Sequence, residues 1–185
     1  MHGKYGKIIA TRGTSRWQAS EGPEVIYRDG YYYLFLAYGS LSVEYNTRVC
    51  RSRNIDGPYV DIHGNSAMGS AQLYPILTAP YRFDNSYGWV GISHCGIFDD
   101  GAGNWFYTSQ GRFPVNVGGN EYSNAIMMGH VRSIRWDANG WPLVMPERYG
   151  AVPQAPITEN EIAGDWEHLA LTTSTGTCLL YTSPS

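Results

Sequence analysis

Charge, cysteine and long apolar runs are all scarce in this 185-residue chain. Charged side chains make up 16% of it, 13 Lys and Arg against 16 Asp and Glu, for a formal net charge of −3. No basic stripe is present, so the electrostatic footprint of a nucleic-acid binder is missing and a neutral ligand fits the composition better. Three cysteines, Cys50, Cys95 and Cys178, are widely spaced and odd in number. That excludes a zinc-ligand spacing and a disulfide framework, and leaves free buried thiols as the expectation. No stretch is long and apolar enough to span a bilayer. The residues from Met1 onward do not have the layout of a signal peptide. What the chain does have is 15 Tyr, 6 Trp and 22 Gly. This is the profile of an extracellular β protein with aromatic-lined surfaces.

Helical periodicity is nearly absent, and strand signals recur. Residues 24–28, the turn Asp29-Gly30 and residues 31–38 predict a hairpin, two β-rich runs joined by a favoured two-residue turn. A third strand is expected over 47–52, and Asp56-Gly57-Pro58 turns into a short Tyr59-Val60-Asp61. The same order returns downstream. Cys95-Gly96-Ile97-Phe98 leads through the Gly-rich residues 99–103 into residues 104–108, then a third strand over 125–132, and Asn139-Gly140 turns into a fourth over 141–144. The two units lie about seventy residues apart, a wider period than the short propeller repeats. Strand, hairpin partner, third strand and outer strand, repeated with long inserts, describes successive four-stranded blades of a β-propeller. A β-sandwich also gives short strands at regular spacing, but the repeated order favours blades.

Aligning Val25-Ile26-Tyr27 with Gly96-Ile97-Phe98 puts Glu21 and His94 just before equivalent innermost strands, at one end of a central channel. A shift of one residue would reverse the facing of either side chain. Glu21 sits in Trp17-Gln18-Ala19-Ser20-Glu21-Gly22-Pro23-Glu24, where Gly22 and Pro23 kink the backbone beside the carboxylate. Rigid backbone on one side and Trp17 on the other would make a partly desolvated carboxyl that donates a proton to a leaving oxygen. A lone Glu-Gly-Pro is, by itself, more often a turn carboxylate capping backbone amides. His94 beside an apolar strand is, likewise, ordinarily a satisfied core residue.

The order and separation of several motifs decide between these readings. Arg16-Trp17-Gln18-Ala19-Ser20-Glu21-Gly22-Pro23-Glu24-Val25-Ile26-Tyr27 comes first, then Tyr45-Asn46-Thr47-Arg48-Val49 with Arg51-Ser52-Arg53 behind it. Gly88-Trp89-Val90-Gly91-Ile92-Ser93-His94-Cys95-Gly96, Ser109-Gln110-Gly111-Arg112 and Gly140-Trp141-Pro142-Leu143-Val144 follow. Over most of residues 7–150 the chain resembles glycoside hydrolase family 43, and within it the endo-1,5-α-L-arabinanases. The resemblance implies a five-bladed all-β propeller, of which only the later blades are expected here. It also implies an inverting hydrolase that uses a general-base Asp, a second Asp that tunes the acid, and a Glu that protonates the leaving oxygen. Glu21 matches that Glu, and both Asp residues are expected upstream of it. The 20 residues before Glu21 contain no Asp, so this chain is expected to be truncated and inactive alone. His94 matches the histidine through which related arabinanases hold a metal, usually calcium, with several waters. Trp17, Tyr45 and Asn46 are the implied substrate contacts, for arabinan or an arabino-oligosaccharide. Cys50 and Ser93 stand where Gly or another small residue is common.

Arg48 and Arg112 could orient carboxylates in the channel, although a surface or inter-blade ion pair is the better expectation for each. His130 is expected to be structural. Residues 1–152 are read as the partial propeller and 153–171 as a linker with the start of a C-terminal β domain. Residues 172–185 are read as a tail outside the fold, because Cys178 to Ser185 resemble translated sequencing-adapter sequence. No membrane or nucleic-acid partner is expected, and a polymer substrate implies secretion of the full-length protein. A non-catalytic carbohydrate-binding propeller and an exo-acting arabinofuranosidase or xylosidase of the same family are the competing functions.

Overall fold

A computed structural model describes residues 6–12, 20–41, 43–69, 72–83, 88–114, 126–151, 156–169, 171 and 181–183. Eight strands form two antiparallel four-stranded sheets. The first contains β1 (Ser20–Arg28), β2 (Tyr31–Tyr38), β3 (Asn46–Ser52) and β4 (Ile76–Thr78) in that order. The second repeats the order with β5 (Gly96–Asp99), β6 (Trp105–Gly111), β7 (Met128–Trp136) and β8 (Pro142–Val144). The innermost strands β1 and β5 touch, as do the outermost strands β4 and β8, so the sheets stack face to face as consecutive blades. A short helical turn α1 (Glu159–Ile162) and a two-stranded pair, β9 (Trp166–His168) with β10 (Tyr181–Ser183), complete the described elements. The closing segment that the sequence places outside the fold therefore contributes β10. Among the described residues no helix is long and apolar enough to cross a membrane.

The first blade is buried on both faces because β2 is apolar at successive positions rather than alternate ones. Tyr33 and Phe35 point into the seam between blades, where they meet Val49, Leu77, Ile92, Ile97, Tyr107, Ile134 and Trp141. Leu34, Leu36 and Tyr38 point the other way and pack with Cys50, Tyr59, Ala67 and Leu73. Ile9 and Ala10 from the N-terminal segment cover that second cluster, and Thr11 donates its amide to the Ala67 carbonyl at 2.8 Å. Cys50 and Cys95 are buried free thiols, each pushed up to about 12 by burial. Cys178 lies outside the described residues.

One expected strand is corrected. Residues 59–61 do not form the outer strand of the first blade; Val60 makes only isolated bridges to Arg51 and Ser66, and β4 occupies the edge beside Thr47 and Arg48. The reason is Asp61, which is buried and accepts from the amides of His63, Asn65 and Tyr74, turning the chain away from the ladder. A surface ion pair is corrected for Arg48 and Arg112, since both are buried. Arg48 donates to the Leu73 carbonyl at 2.8 Å and to the side-chain oxygens of Asn46 and Gln72. Arg112 donates to the Leu41 carbonyl.

Polar contacts close the seam at both ends. At one end the Tyr107 hydroxyl lies 2.7 Å from Thr47 Oγ1 and 3.2 Å from Thr78 Oγ1, and Thr47 Oγ1 lies 2.8 Å from Ser93 Oγ. At the other, the Arg51 guanidinium sits between the rings of Tyr31 and Trp141, 4.3 and 4.2 Å from their centroids, and donates to the Asn139 carbonyl. Such stacking is favourable when the cation sheds part of its water. His130, as expected, is structural: it is buried, with Arg132 Nη1 3.0 Å from its Nδ1 and the Trp89 ring edge-on at 4.2 Å.

Tyr107→Phe keeps the ring and removes the hydroxyl shared by two buried threonines. It should cost about 1–3 kcal/mol, the penalty of unsatisfied buried polar groups, read as a lowered midpoint in urea at an unchanged slope; an unchanged midpoint would remove the network from the account. His130 supplies a pH dependence. Burial, then the charges of Arg132 and Arg148, hold its pKa at about 4 in the fold, against roughly 6.5 for a free imidazole. Between these values the unfolded chain binds more protons, so stability is intact above the upper value and drains away as pH falls toward the lower. The thermal midpoint should therefore drop across that window, and His130→Gln should flatten the drop; an unaltered profile in the variant would contradict this.

Candidate active site

The Gly22-Pro23 kink is a β-bulge. Glu21 pairs with Ala37 and Glu24 with Phe35, so β1 carries one extra residue between them. Side chains alternate along a strand, and one inserted residue reverses the parity on one side of it. The bulge thereby brings Glu21 round to the face that carries Glu24 and Ile26, toward the second blade. Gly22 makes this possible, at φ 54° and with a virtual Cβ only 2.8 Å from Cδ2 of His94. The imidazole packs directly on the Gly22 backbone, a place no larger residue could leave open. His94 itself has φ 57° and immediately precedes β5.

Tyr45 completes the group. Its ring is buried, and its hydroxyl donates to Glu21 Oε1 and lies 3.3 Å from His94 Nδ1. His94 Nδ1 is 3.7 Å from the same carboxylate oxygen. Burial first, then the hydrogen bond to Glu21 and the nearby negative charge, push the Tyr45 phenol well above its ordinary value, so it stays a donor. Glu21 and His94 are each 57% exposed at the side chain. The described residues thus leave the carboxyl open to solvent rather than desolvated; Trp17, expected to cover it, lies outside them.

The sequence pairs Tyr45 and Asn46 as substrate contacts, and the structure gives Asn46 other partners. Asn46 is 2% exposed. Its amide nitrogen donates to the Tyr38 and Glu44 carbonyls, at 3.1 and 2.8 Å, and its oxygen accepts from Arg48. With both amide hydrogens used inside the protein, Asn46 clamps the loop between β2 and β3 and presents Tyr45. Arg112, through Leu41, ties the same loop to the second blade. Ser93, next to His94, donates to the Asn46 carbonyl at 2.9 Å, so the two segments that carry Tyr45 and His94 are bonded to each other. Sequence reasoning missed this loop clamp. Its available signal was register: Tyr38 pairs with both Ser20 and Asn46, so Tyr45 must emerge at the end of the sheet where Glu21 does.

For a cation, the described residues at this site offer one nitrogen, on His94. Among the described residues no three His, Cys, Asp or Glu side chains converge. Calcium takes six to eight oxygens in its usual sites, so the donor set does not form a carboxylate cage. It does fit an ion that takes one imidazole nitrogen and completes its shell with water, because His94 Nδ1 is turned to Tyr45 and leaves Nε2 as the remaining ring donor.

The arrangement has counterparts among known proteins. The sequence model of glycosyl hydrolases family 43 matches residues 2–142. The extracellular endo-α-(1→5)-L-arabinanase 2 of Bacillus subtilis is 30% identical over 88% of this chain, and the extracellular endo-α-(1→5)-L-arabinanase of Thermotoga petrophila is 30% identical over 89%. In each case the match spans only 37% of the relative. The crystal structure of the endo-1,5-α-L-arabinanase from Thermotoga petrophila in complex with TRIS superposes with a TM-score of 0.79 at 26% identity, covering 96% of this chain and 42% of that one. The two stacked sheets are accordingly two blades of a five-bladed β-propeller. On the match of most of its length and the likeness of its blades, the chain belongs to glycoside hydrolase family 43.

Proposed function

We propose that the protein containing this chain is an inverting glycoside hydrolase that cleaves α-1,5-linked L-arabinan, with Glu21 as its general acid. The observation that carries this reading is the placement of Glu21: a solvent-reachable carboxyl at the channel end of an inner strand, turned inward by a bulge and held by a buried phenol. An inverting site needs a second carboxylate roughly 6.5–9.5 Å away, with room for water between. Asp29, Asp99, Asp100 and Asp137 sit at turns or strand ends on the far side of the sheets. Asp29 is eight residues along β1 from Glu21, roughly 25 Å at the rise of a strand. None of these four is placed to be the base, and Asp61 is spent on backbone amides; we take the base and the pKa-tuning Asp to come from outside this chain, and the chain to be inactive alone.

The relatives named extracellular support secretion of the whole protein. Exo action has its own support, since the extracellular exo-α-(1→5)-L-arabinofuranosidase ArbA of Cellvibrio japonicus is 28% identical over 67% of this chain. Calcium, held by His94 Nε2 and waters, would place positive charge beside the acid and the sugar. Trp17 remains a proposed sugar platform, by the stacking that aromatic faces offer to pyranose and furanose rings.

Reducing sugar released from linear 1,5-arabinan tests the reading. The complete gene product should release it, this chain alone should not, and Glu21→Gln should cut the rate by about 10²–10⁴, the usual contribution of a general acid. Short oligosaccharides as first products would favour endo action, and arabinose or one fixed short product would favour exo. Binding without cleavage would replace the enzyme by a carbohydrate-binding propeller. Metal analysis of the complete product should find calcium in the wild type and lose most of it in His94→Ala; full occupancy in the variant would remove His94 as the ligand.

A further inference from the structure

We infer, on the reading of Glu21 and His94 as site residues, that Ser93 is a positioning residue. Its buried hydroxyl holds the left-handed backbone of His94 and so keeps the imidazole against Gly22, beside the acid.

His94 occupies a conformation that its neighbours must impose. Its φ of 57° lies in the left-handed region, which L residues other than Gly enter rarely because Cβ crowds the backbone there. Asp29, with φ 48°, sits in the two-residue turn of a hairpin, where such a backbone is the ordinary choice. His94 sits in no hairpin turn; it stands two residues before β5, with Cys95 between. Left to its own preference it would extend, and the ring would swing off the Gly22 backbone. Its Cδ2 now lies 2.8 Å from the place a Cβ on Gly22 would take. A strained backbone persists where its surroundings over-determine it.

Hydroxyl groups do this here. Ser93 is fully buried, and its Oγ donates to the Asn46 carbonyl at 2.9 Å. A hydroxyl has one hydrogen to give, so in the 2.8 Å contact with Thr47 Oγ1 Ser93 is the acceptor. Its donor and one of its acceptor sites are thus taken by the first blade, and the residue cannot turn without breaking two buried bonds, which is costly. One residue earlier, the Ile92 carbonyl accepts from Thr78 Oγ1 at 2.6 Å. Two residues after His94, Gly96 pairs with Thr108, whose hydroxyl donates to the Gly96 carbonyl at 3.0 Å. The chain is pinned on either side of His94. The peptide between Ser93 and His94 is the one that the strained φ orients, so Ser93 is the pin nearest the strain.

Glycine and alanine at position 94 test this. Glycine is the more stable of the two in a left-handed backbone, and alanine in an extended one. His94→Gly should therefore keep a higher urea midpoint than His94→Ala while Ser93 is present, and Ser93→Ala should reverse that order. Ser93→Cys, a weak donor, gives the same comparison should the alanine variant fail to fold. The same order in both backgrounds would overturn the inference. A nuclear Overhauser effect between the His94 ring and the Gly22 α-hydrogens reads the ring position directly. It should be present in the wild-type chain, lost in Ser93→Ala and kept in Ser109→Ala, which removes another buried serine hydroxyl; its survival in Ser93→Ala would also overturn the inference. In the complete gene product, Ser93→Ala should lower kcat on linear arabinan by about tenfold to a hundredfold, the scale on which a misplacement of about 1 Å acts. It should lower kcat far less in a His94→Ala background; equal losses in both would show a role that does not run through His94 and contradict the inference. An inactive wild type would count against the glycosidase reading alone, and the order of Gly and Ala at position 94 would still decide this one.

Discussion

The Tyr107 hydroxyl, wedged between Thr47 and Thr78 at the seam of two blades, is the contact on which the site depends. Propeller blades pack through apolar faces, and such faces alone set spacing better than they set alignment, because dispersion and burial are non-directional. Hydrogen bonds supply the direction. Thr47 bonds to Ser93, and Ser93 to the Asn46 carbonyl, so the start of β3 in one blade is locked against the residue before His94 in the next. Tyr45 and His94 each adjoin one of these locked residues. Their meeting at Glu21 is a consequence of the seam.

The site is consequently assembled from three backbone irregularities held by regular structure. A one-residue bulge turns Glu21 inward, a left-handed backbone at His94 lifts the imidazole off the strand, and a clamped loop delivers Tyr45. Bulges and left-handed residues cost energy and persist where the surroundings over-determine them. The surroundings here are the buried Asn46, Ser93 and Arg112, whose side chains donate to the Tyr38, Asn46 and Leu41 carbonyls.

Much of the fold was legible because it is written in short-range chemistry. The Asp29-Gly30 turn and the apolar runs beside it mark the join of the first hairpin, and the repeat of strand order marks the blades, although the strand expected over 125–132 runs Met128–Trp136. The outer strand of the first blade was not legible. Residues 59–61 read as a strand, but the Asp61 carboxylate binds three amides there, and the true edge is a three-residue strand far down the chain with no periodicity to reveal it. Glu21 and His94 could be placed at one end of the channel by aligning inner strands, and motif order tied them to a family. What could not be read was which polar residue faces a ligand and which faces the protein. Tyr45 and Asn46 are adjacent and both polar, yet a loop carbonyl and a neighbouring arginine consume Asn46 while Tyr45 reaches the acid. Buried arginines on carbonyls, such as Arg48, are equally invisible to a sequence rule that pairs cations with acids.

A crystal structure of the complete gene product with a bound arabino-oligosaccharide, trapped by Glu21→Gln, tests the central claim most directly. The account requires one side-chain atom at position 21 to stay on the Tyr45 hydroxyl and the other to lie within hydrogen-bond reach of the glycosidic oxygen, about 2.6–3.2 Å. A sugar chain that crosses the channel elsewhere, or a residue 21 turned away from both Tyr45 and the scissile bond, would contradict it.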